Sequence, residues 1–236
     1  QAQALVLAGL VPGVAKPGQQ LEDSVALTVE RPPAYVSRGG EKLSHALAAF
    51  GVDPRGRDCL DVGASTGGFT DCLLQAGAAR VVALDVGYGQ LHPRLRDDPR
   101  VSVLERVNAR HLAALPFSPD LVVCDVSFIS VRTVLPPALR LSAPSWEAVV
   151  LVKPQFEAGR ADVPKGVVRD PAVHRAVLHE VAEAAAGWGA RLLGVVDSGL
   201  PGPKGNREFF LHLTASEKGA DPDDVRRWID EAVGGA

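Results

Sequence analysis

From Cys59 onward the chain alternates short apolar runs with longer stretches of helical period. The runs are CLDV, RVVALD, VSVLE, LVVCD, AVVLVK, RLLGVVD and EFFLHL. Strands this rich in Val and Leu are buried on both faces, and helical crossovers between them make a parallel sheet. The spacing predicts helices of about ten residues or more between most of the strands. EFFLHL follows a loop instead of a long helix, so this last strand is expected to run antiparallel. The pattern is that of an α/β fold with a mostly parallel seven-stranded sheet. Two more helices flank it. GEKLSHALAAF carries Leu43, Ala46, Leu47 and Phe50 on one face, with Ser37 as an N-cap and Gly51 as the stop. PDDVRRWIDEAV carries Val225, Trp228, Ile229 and Ala232 on one face and reads as a terminal cap.

Residues 1–30 differ in kind. AQALVLAGLV reads as a short helix, KPGQQL as a turn and SVALTVE as an alternating strand. Arg31-Pro32-Pro33 then makes a stiff extended linker over residues 31–36, and residues 37–236 form the second domain. Methionine is absent, even at position 1, so the chain is expected to begin downstream of its natural start.

Composition narrows the choices. Of 236 residues, 46% are hydrophobic and 22% charged, which suits a globular protein with a sizeable core. A net charge of −3 supplies no global field for nucleic acid, so an RNA partner requires a local basic patch. Cys59, Cys72 and Cys124 lie in apolar segments without CxxC spacing and are expected to be buried thiols of a reducing compartment. No run approaches the roughly 18 apolar residues of a membrane span, and no signal segment opens the chain. A cytoplasmic location is expected.

The loop LDVGASTGGFTDCLL joins the first sheet strand to its helix, with glycines at 63, 67 and 68. Glycines there let the backbone turn sharply and approach a ligand. The dinucleotide pattern G-x-G-x-x-G fails because Ser65 stands in place of the second glycine. Asp61 is unhelpful beside a pyrophosphate but useful beside a cationic methionyl group. Asp85, ending RVVALD, is placed to hold two ribose hydroxyls, and Asn108, after the third strand, to read an adenine amino group. With Ser65, Thr66 and Gly67 in the loop and Asp125 across from it, this set suits S-adenosylmethionine better than NAD.

Ligands of an open parallel sheet lie at the carboxyl ends of its strands. Asp125 closes LVVCD, Lys153 closes AVVLVK, and Glu208 opens the antiparallel strand, so three charges converge on one rim. A partly desolvated lysine gives up its proton more readily, although neighbouring acids oppose this. A ribose 2′-hydroxyl attacks a methyl sulfonium poorly until its proton is withdrawn. Lys153 is placed to take that proton, with Asp125 and Glu208 orienting the ammonium. Arg38, Arg160, Lys165, Arg169, Lys204 and Arg207, together with Arg106 and Arg110, lie on loops about the rim and suit RNA phosphates. Phe128, Phe156 and Phe209 neighbour rim residues and suit either a splayed base or the core.

The stretches YVSRGGEKL, LDVGASTGGFTDCLL, ALDVGYGQL, VCDVSFIS, LVKPQFEAGR, KGVVRDP and GPKGNREF resemble the TlyA family over residues 1–214. The resemblance implies a Rossmann-like class I methyltransferase domain of FtsJ type behind an N-terminal S4 RNA-binding domain, here partial. It implies S-adenosylmethionine-dependent 2′-O-methylation of cytidine ribose in ribosomal RNA. It also implies a Lys-Asp-Lys-Glu tetrad, whose members fall on Lys42, Asp125, Lys153 and Glu208. Three rival readings remain. A base-directed methyltransferase is disfavoured by CDVSF, which lacks a Pro-Pro pair, and by Cys124, which alternation turns away from the rim toward the core. A cytolysin, suggested by the family's older name of hemolysin A, requires membrane-inserting segments that the pattern does not contain. A non-catalytic S4-type RNA binder does not need the full set of rim charges.

Overall fold

The computed structural model describes residues 2–7, 11–21, 25–28, 33–216 and 218–235. The chain divides into two units, Gln1–Ala34 and Tyr35–Ala236. In the first, helix α1 spans Ala2–Leu7. Turns follow, and Gln19 Oε1 accepts from Ala15 N at 2.7 Å. The expected strand SVALTVE is not found in its described part: residues 25–28 pair with no strand. An isolated strand leaves its backbone groups unpaired, so alternation alone does not make one. Residues 8–10 of the expected helix, and 24, 29 and 30 of the expected strand, lie outside the described residues.

In the second unit all seven expected strands are present: β1 Asp58–Val62, β2 Arg80–Leu84, β3 Val101–Leu104, β4 Leu121–Cys124, β5 Glu147–Val152, β6 Ala190–Asp197 and β7 Phe209–Ala215. They form one sheet in the order β3-β2-β1-β4-β5-β7-β6. β7 runs antiparallel to both β5 and β6, as its loop connection predicts, while the other pairings are parallel. The helices are α2 Arg38–Phe50, α3 Gly68–Gln75, α4 Pro93–Arg96, α5 Val131–Arg140, α6 Pro154–Glu157, α7 Pro171–Ala186 and α8 Pro222–Gly234. Crossovers are shorter than expected in one half of the sheet. Only α4 joins β2 to β3, and a single 3-10 turn, Ala109–His111, joins β3 to β4. Gly87, Gly89 and Pro99 break helical continuity between β2 and β3, where Pro93 opens the short α4.

The sheet is covered on both faces. Leu60, Val62, Val122, Val150 and Leu211 pack with α5, α7 and α8, while Cys59, Val81, Val123, Leu151 and Phe210 pack with α2 and α3. On α8, Ile229, Ala232 and Val233 are buried, so the terminal helix is part of the first of these cores. Tyr35 and Val36, expected in the linker, already belong to the second: they pack against its core, and Val36 N donates to Asp71 Oδ2 at 2.9 Å.

The start of α2 is held unusually close to α3. A Cβ on Gly68 would stand 2.2 Å from Ser37 Oγ and 2.9 Å from Gly40 N. Only glycine permits this approach. Ser37 takes the N-cap position as expected, but its side chain makes no capping hydrogen bond.

Candidate active site

The strand order reverses direction between β1 and β4, and ligands of such sheets lie at that switch point. A cavity of about 460 Å³ opens there, lined by Gly63, Ser65, Asp85, Asn108, Asp125 and Phe128 among others. Gly63 holds φ 87, and a Cβ on it would stand 2.4 Å from the Asp125 carbonyl oxygen. The glycine therefore lets the loop after β1 lie flat against the end of β4. Asp85 is fixed by two backbone donors, Ser65 N to Oδ2 at 2.7 Å and Gly87 N to Oδ1 at 2.6 Å. Asn108 caps the 3-10 turn by accepting from Arg110 N at 3.0 Å. Thr66 and Gly67 shape the loop from outside the cavity. The Thr66 carbonyl accepts from His92 N at 3.1 Å, and Gly67, at φ 97, packs on Leu91 and Leu95.

Asp61 sits beneath this loop, fully buried. Its Oδ2 accepts from Thr70 Oγ1 at 2.7 Å, and its Oδ1 has no hydrogen-bond partner. Burial pushes its carboxyl up to about 7; the Thr70 hydroxyl opposes this and the neighbouring Asp125 adds to it. A buried acceptor with an open lone pair, beside Asp85 and Asp125, fits a cationic ligand and disfavours an anionic one. The residues present therefore fit S-adenosylmethionine.

A second cavity, about 260 Å³, is lined by Arg38, Lys42, Asp125, Lys153, Gly202 and Glu208 among others. All four charges that the sequence nominates thus line one hollow, and Asp125 lines both cavities. They resolve into two ion pairs. Lys153 Nζ lies 2.5 Å from Asp125 Oδ1. Lys42 Nζ lies 2.6 Å from Glu208 Oε2, with side chains 9% and 0% exposed. Glu208 therefore holds Lys42, where the sequence suggested that it orients Lys153. Three polar partners were not anticipated. Ser127 Oγ accepts from Lys153 Nζ at 3.0 Å, Gln155 Nε2 donates to Glu208 Oε1 at 3.3 Å, and Glu157 accepts from Val131 N at 2.7 Å. The signal for two of them was the KPQFE segment, which sets Gln155 and Glu157 just beyond Lys153.

The basic residues divide. Arg38 is exposed at the mouth of the second cavity, where it donates to the Pro201 carbonyl at 3.0 Å. Arg160, Lys165, Arg169 and Lys204 are exposed and form no ion pair among the described residues. Arg207 points elsewhere. Its guanidinium pairs with Asp197 at 2.9 Å and donates to the Ala232 and Val233 carbonyls near the end of α8. Arg106 stacks over Tyr88, 4.1 Å from the ring centroid. Phe128 is 90% exposed and leans on Phe156, whereas Phe209 is fully buried in the core. The three cysteines are free and buried, as expected, and burial pushes the Cys124 thiol far up, away from nucleophilic use.

Fold and cleft define a Rossmann-like methyltransferase that uses S-adenosylmethionine. Comparison with known proteins carries this further. The profile of the FtsJ-like methyltransferase family matches residues 35–215. The 16S/23S rRNA (cytidine-2'-O)-methyltransferase TlyA of Mycobacterium tuberculosis is 50% identical, covering 98% of this chain and 91% of its own. Hemolysin A of Brachyspira hyodysenteriae is 40% identical, covering 90% and 92%. A solved structure of a hemolysin-named protein from Streptococcus thermophilus superposes with a TM-score of 0.83 at 40% identity, covering 100% of this chain and 88% of that one. The chain belongs to the FtsJ-like methyltransferase family and, within it, to the TlyA proteins. Among the described residues no helix is long and apolar enough to cross a membrane.

Proposed function

We propose that the protein transfers a methyl group from S-adenosylmethionine to the 2′-hydroxyl of a cytidine ribose in ribosomal RNA. Its action on ribosomal subunits in the cytoplasm, with residues 1–30 as a partial S4-like RNA-docking segment, belongs to the same reading. The observation that carries it is the position of Asp125, which walls the cofactor cavity on one side and the charged hollow on the other. A methyl donor and a hydroxyl acceptor placed in the two cavities meet at that wall. The names of the M. tuberculosis and Bacillus subtilis relatives support RNA as the acceptor.

Asp85, Ser65 and Asn108 would hold the nucleoside end of the cofactor, and Asp61 and Gly63 its methionyl end. When bound, S-adenosylmethionine supplies a methyl group on a cationic sulfur that leaves as a neutral thioether. The remaining work falls to the chain. Lys153, held by Asp125 and Ser127, is the group placed to accept the proton of the attacking hydroxyl at Nζ. Lys42, locked on Glu208, presents a fixed cation to the ribose or its phosphate. Incubation with labelled S-adenosylmethionine and ribosomal subunits, followed by mapping of the label, tests the proposal. Label on a base instead of a ribose refutes it. Lys153→Ala is expected to abolish turnover while cofactor binding persists, and full activity in that variant excludes Lys153 as the base.

A further inference from the structure

Two turns beside the charged hollow repeat one another. Val163-Pro164-Lys165-Gly166 and Gly202-Pro203-Lys204-Gly205 share the tripeptide Pro-Lys-Gly. Each closes on itself, with Gly166 N donating to Val163 O at 3.2 Å and Gly205 N to Gly202 O at 3.1 Å. In each, the lysine is left-handed: φ 56 and ψ 22 at Lys165, φ 59 and ψ 15 at Lys204. The glycines that follow have φ 81 and φ 79. A left-handed backbone is unfavourable for any residue with a Cβ, and glycine is its ordinary occupant. The chain accepts that strain twice, with the same cationic residue, and strain of this kind gathers at functional sites.

Asn206 staples the two turns together. It is 2% exposed; its Nδ2 donates to Gly166 O at 3.0 Å, and its Oδ1 accepts from Val168 N at 3.0 Å. Its carbonyl accepts from Gly202 N at 2.8 Å. Lys204 Nζ lies 3.5 Å from the position a Cβ would take on Gly166, so the ammonium of one turn rests on the backbone of the other. Neither lysine has an ion-pair partner among the described residues, whereas Arg57, Arg80, Arg132 and Arg175 do. Two exposed cations held in one frame, neither paired with an acid among the described residues, make a local field for anions. The frame also touches the hollow, because a Cβ on Gly202 would stand 2.1 Å from Glu208 Oε1.

We propose that the twin Pro-Lys-Gly turns form a phosphate bracket, each ammonium engaging one of two neighbouring phosphodiesters of the RNA strand that delivers its ribose to the hollow. This rests on the RNA reading of the preceding subsection. Phosphate contacts fix register and orientation, not sequence. The bracket therefore determines how well the strand is seated, and its loss shows in KM.

Lys165→Gly/Lys204→Gly removes both ammoniums and the left-handed strain together. For single-stranded nucleic acid the salt slope of log affinity is about −0.7 per phosphate neutralised. The double variant is expected to raise KM for ribosomal subunits about 25-fold at 0.1 M salt and flatten the slope by about 1.4. Each single variant is expected to give about 5-fold. The melting temperature should hold or rise, kcat at saturating subunits should persist, and Lys165→Arg/Lys204→Arg should restore the slope. Lys165→Gln/Lys204→Gln repeats the charge removal in case the glycines impair folding. If the wild type places no label on ribose, the RNA reading itself fails. If the wild type methylates ribose and both double variants keep its KM and salt slope, the bracket is overturned. A lowered melting temperature with unchanged KM also overturns it, since the lysines are then structural.

Discussion

Lys42→Met tests the least visible part of the site. The mutation leaves Glu208, whose side chain is wholly buried, with Gln155 Nε2 at 3.3 Å as its remaining side-chain donor among the described residues. Breaking one side of a buried ion pair costs about 3–5 kcal/mol because the other charge stays uncompensated. The surviving amide donor places this case at the lower end, about 3 kcal/mol, or roughly 6–12 °C in Tm for a domain of this size. Lys42→Met/Glu208→Leu, which removes both charges, should recover most of the Tm while methyl transfer stays absent. Lys153→Met is the contrast. Its partner Asp125 has a side chain 25% exposed, but the oxygen that faces Lys153, Oδ1, is itself buried without a hydrogen-bond partner, so the cost is about 1–3 kcal/mol. The assay is thermal unfolding alongside methyl transfer well below each variant's Tm. A wild-type Tm for Lys42→Met refutes the buried-charge argument. Wild-type turnover refutes a role for Lys42 in the chemistry.

Three further outcomes follow from the geometry. Asp61, raised from 3.8 to about 7, binds a proton in the folded state that the unfolded state releases, so the ligand-free protein loses stability as pH rises from about 4 to about 7. Asp61→Asn should remove that part of the slope in urea titrations at several pH values, and an unchanged slope refutes the assignment. Gly63→Ala forces a Cβ to 2.4 Å from the Asp125 carbonyl at φ 87, and should cost about 2 kcal/mol or more and abolish cofactor binding by calorimetry. Arg207→Met should lower stability by about 2 kcal/mol, because the Asp197 pair and two α8 carbonyls lose their donor, while KM for RNA stays put. A raised KM at unchanged Tm would return Arg207 to the RNA surface.

What the sequence reveals is what local pattern encodes. All seven strands are legible as apolar runs, and those in the middle of the sheet most clearly, because strands buried on both faces read as unbroken apolar runs. The rim positions of Asp125, Lys153 and Glu208 follow from where those runs end. Pairing is a different matter: Lys42 and Glu208 are 166 residues apart, and only side-chain packing decides which lysine meets which acid. Arg207 looks like Arg169 in sequence, yet Arg169 is exposed while Arg207 is consumed by Asp197 and the end of α8. Residues 25–28, the described part of SVALTVE, show the converse, since alternation marks a strand only where a neighbour supplies its hydrogen bonds.

The four rim charges come from α2, the end of β4, the end of β5 and the start of β7, so no single element aligns them. The four-residue helix α6 supplies that alignment through consecutive side chains. Gln155 donates to Glu208, Phe156 packs on Phe128 with centroids 4.9 Å apart, and Glu157 accepts from Ser130 Oγ at 2.5 Å and Val131 N at 2.7 Å. Lys153 is the N-cap of the same helix. The loop 126–130, which walls the larger cavity and places Ser127 beside Lys153, is thus connected by contacts through Glu157 and Gln155 to the Lys42–Glu208 pair. Glu157 is only 8% exposed, so its carboxylate is held between α5 and α6 by hydrogen bonds with little competition from water. The loop at the first cavity and the Lys42–Glu208 pair in the second thus share one support, a helix of a single turn.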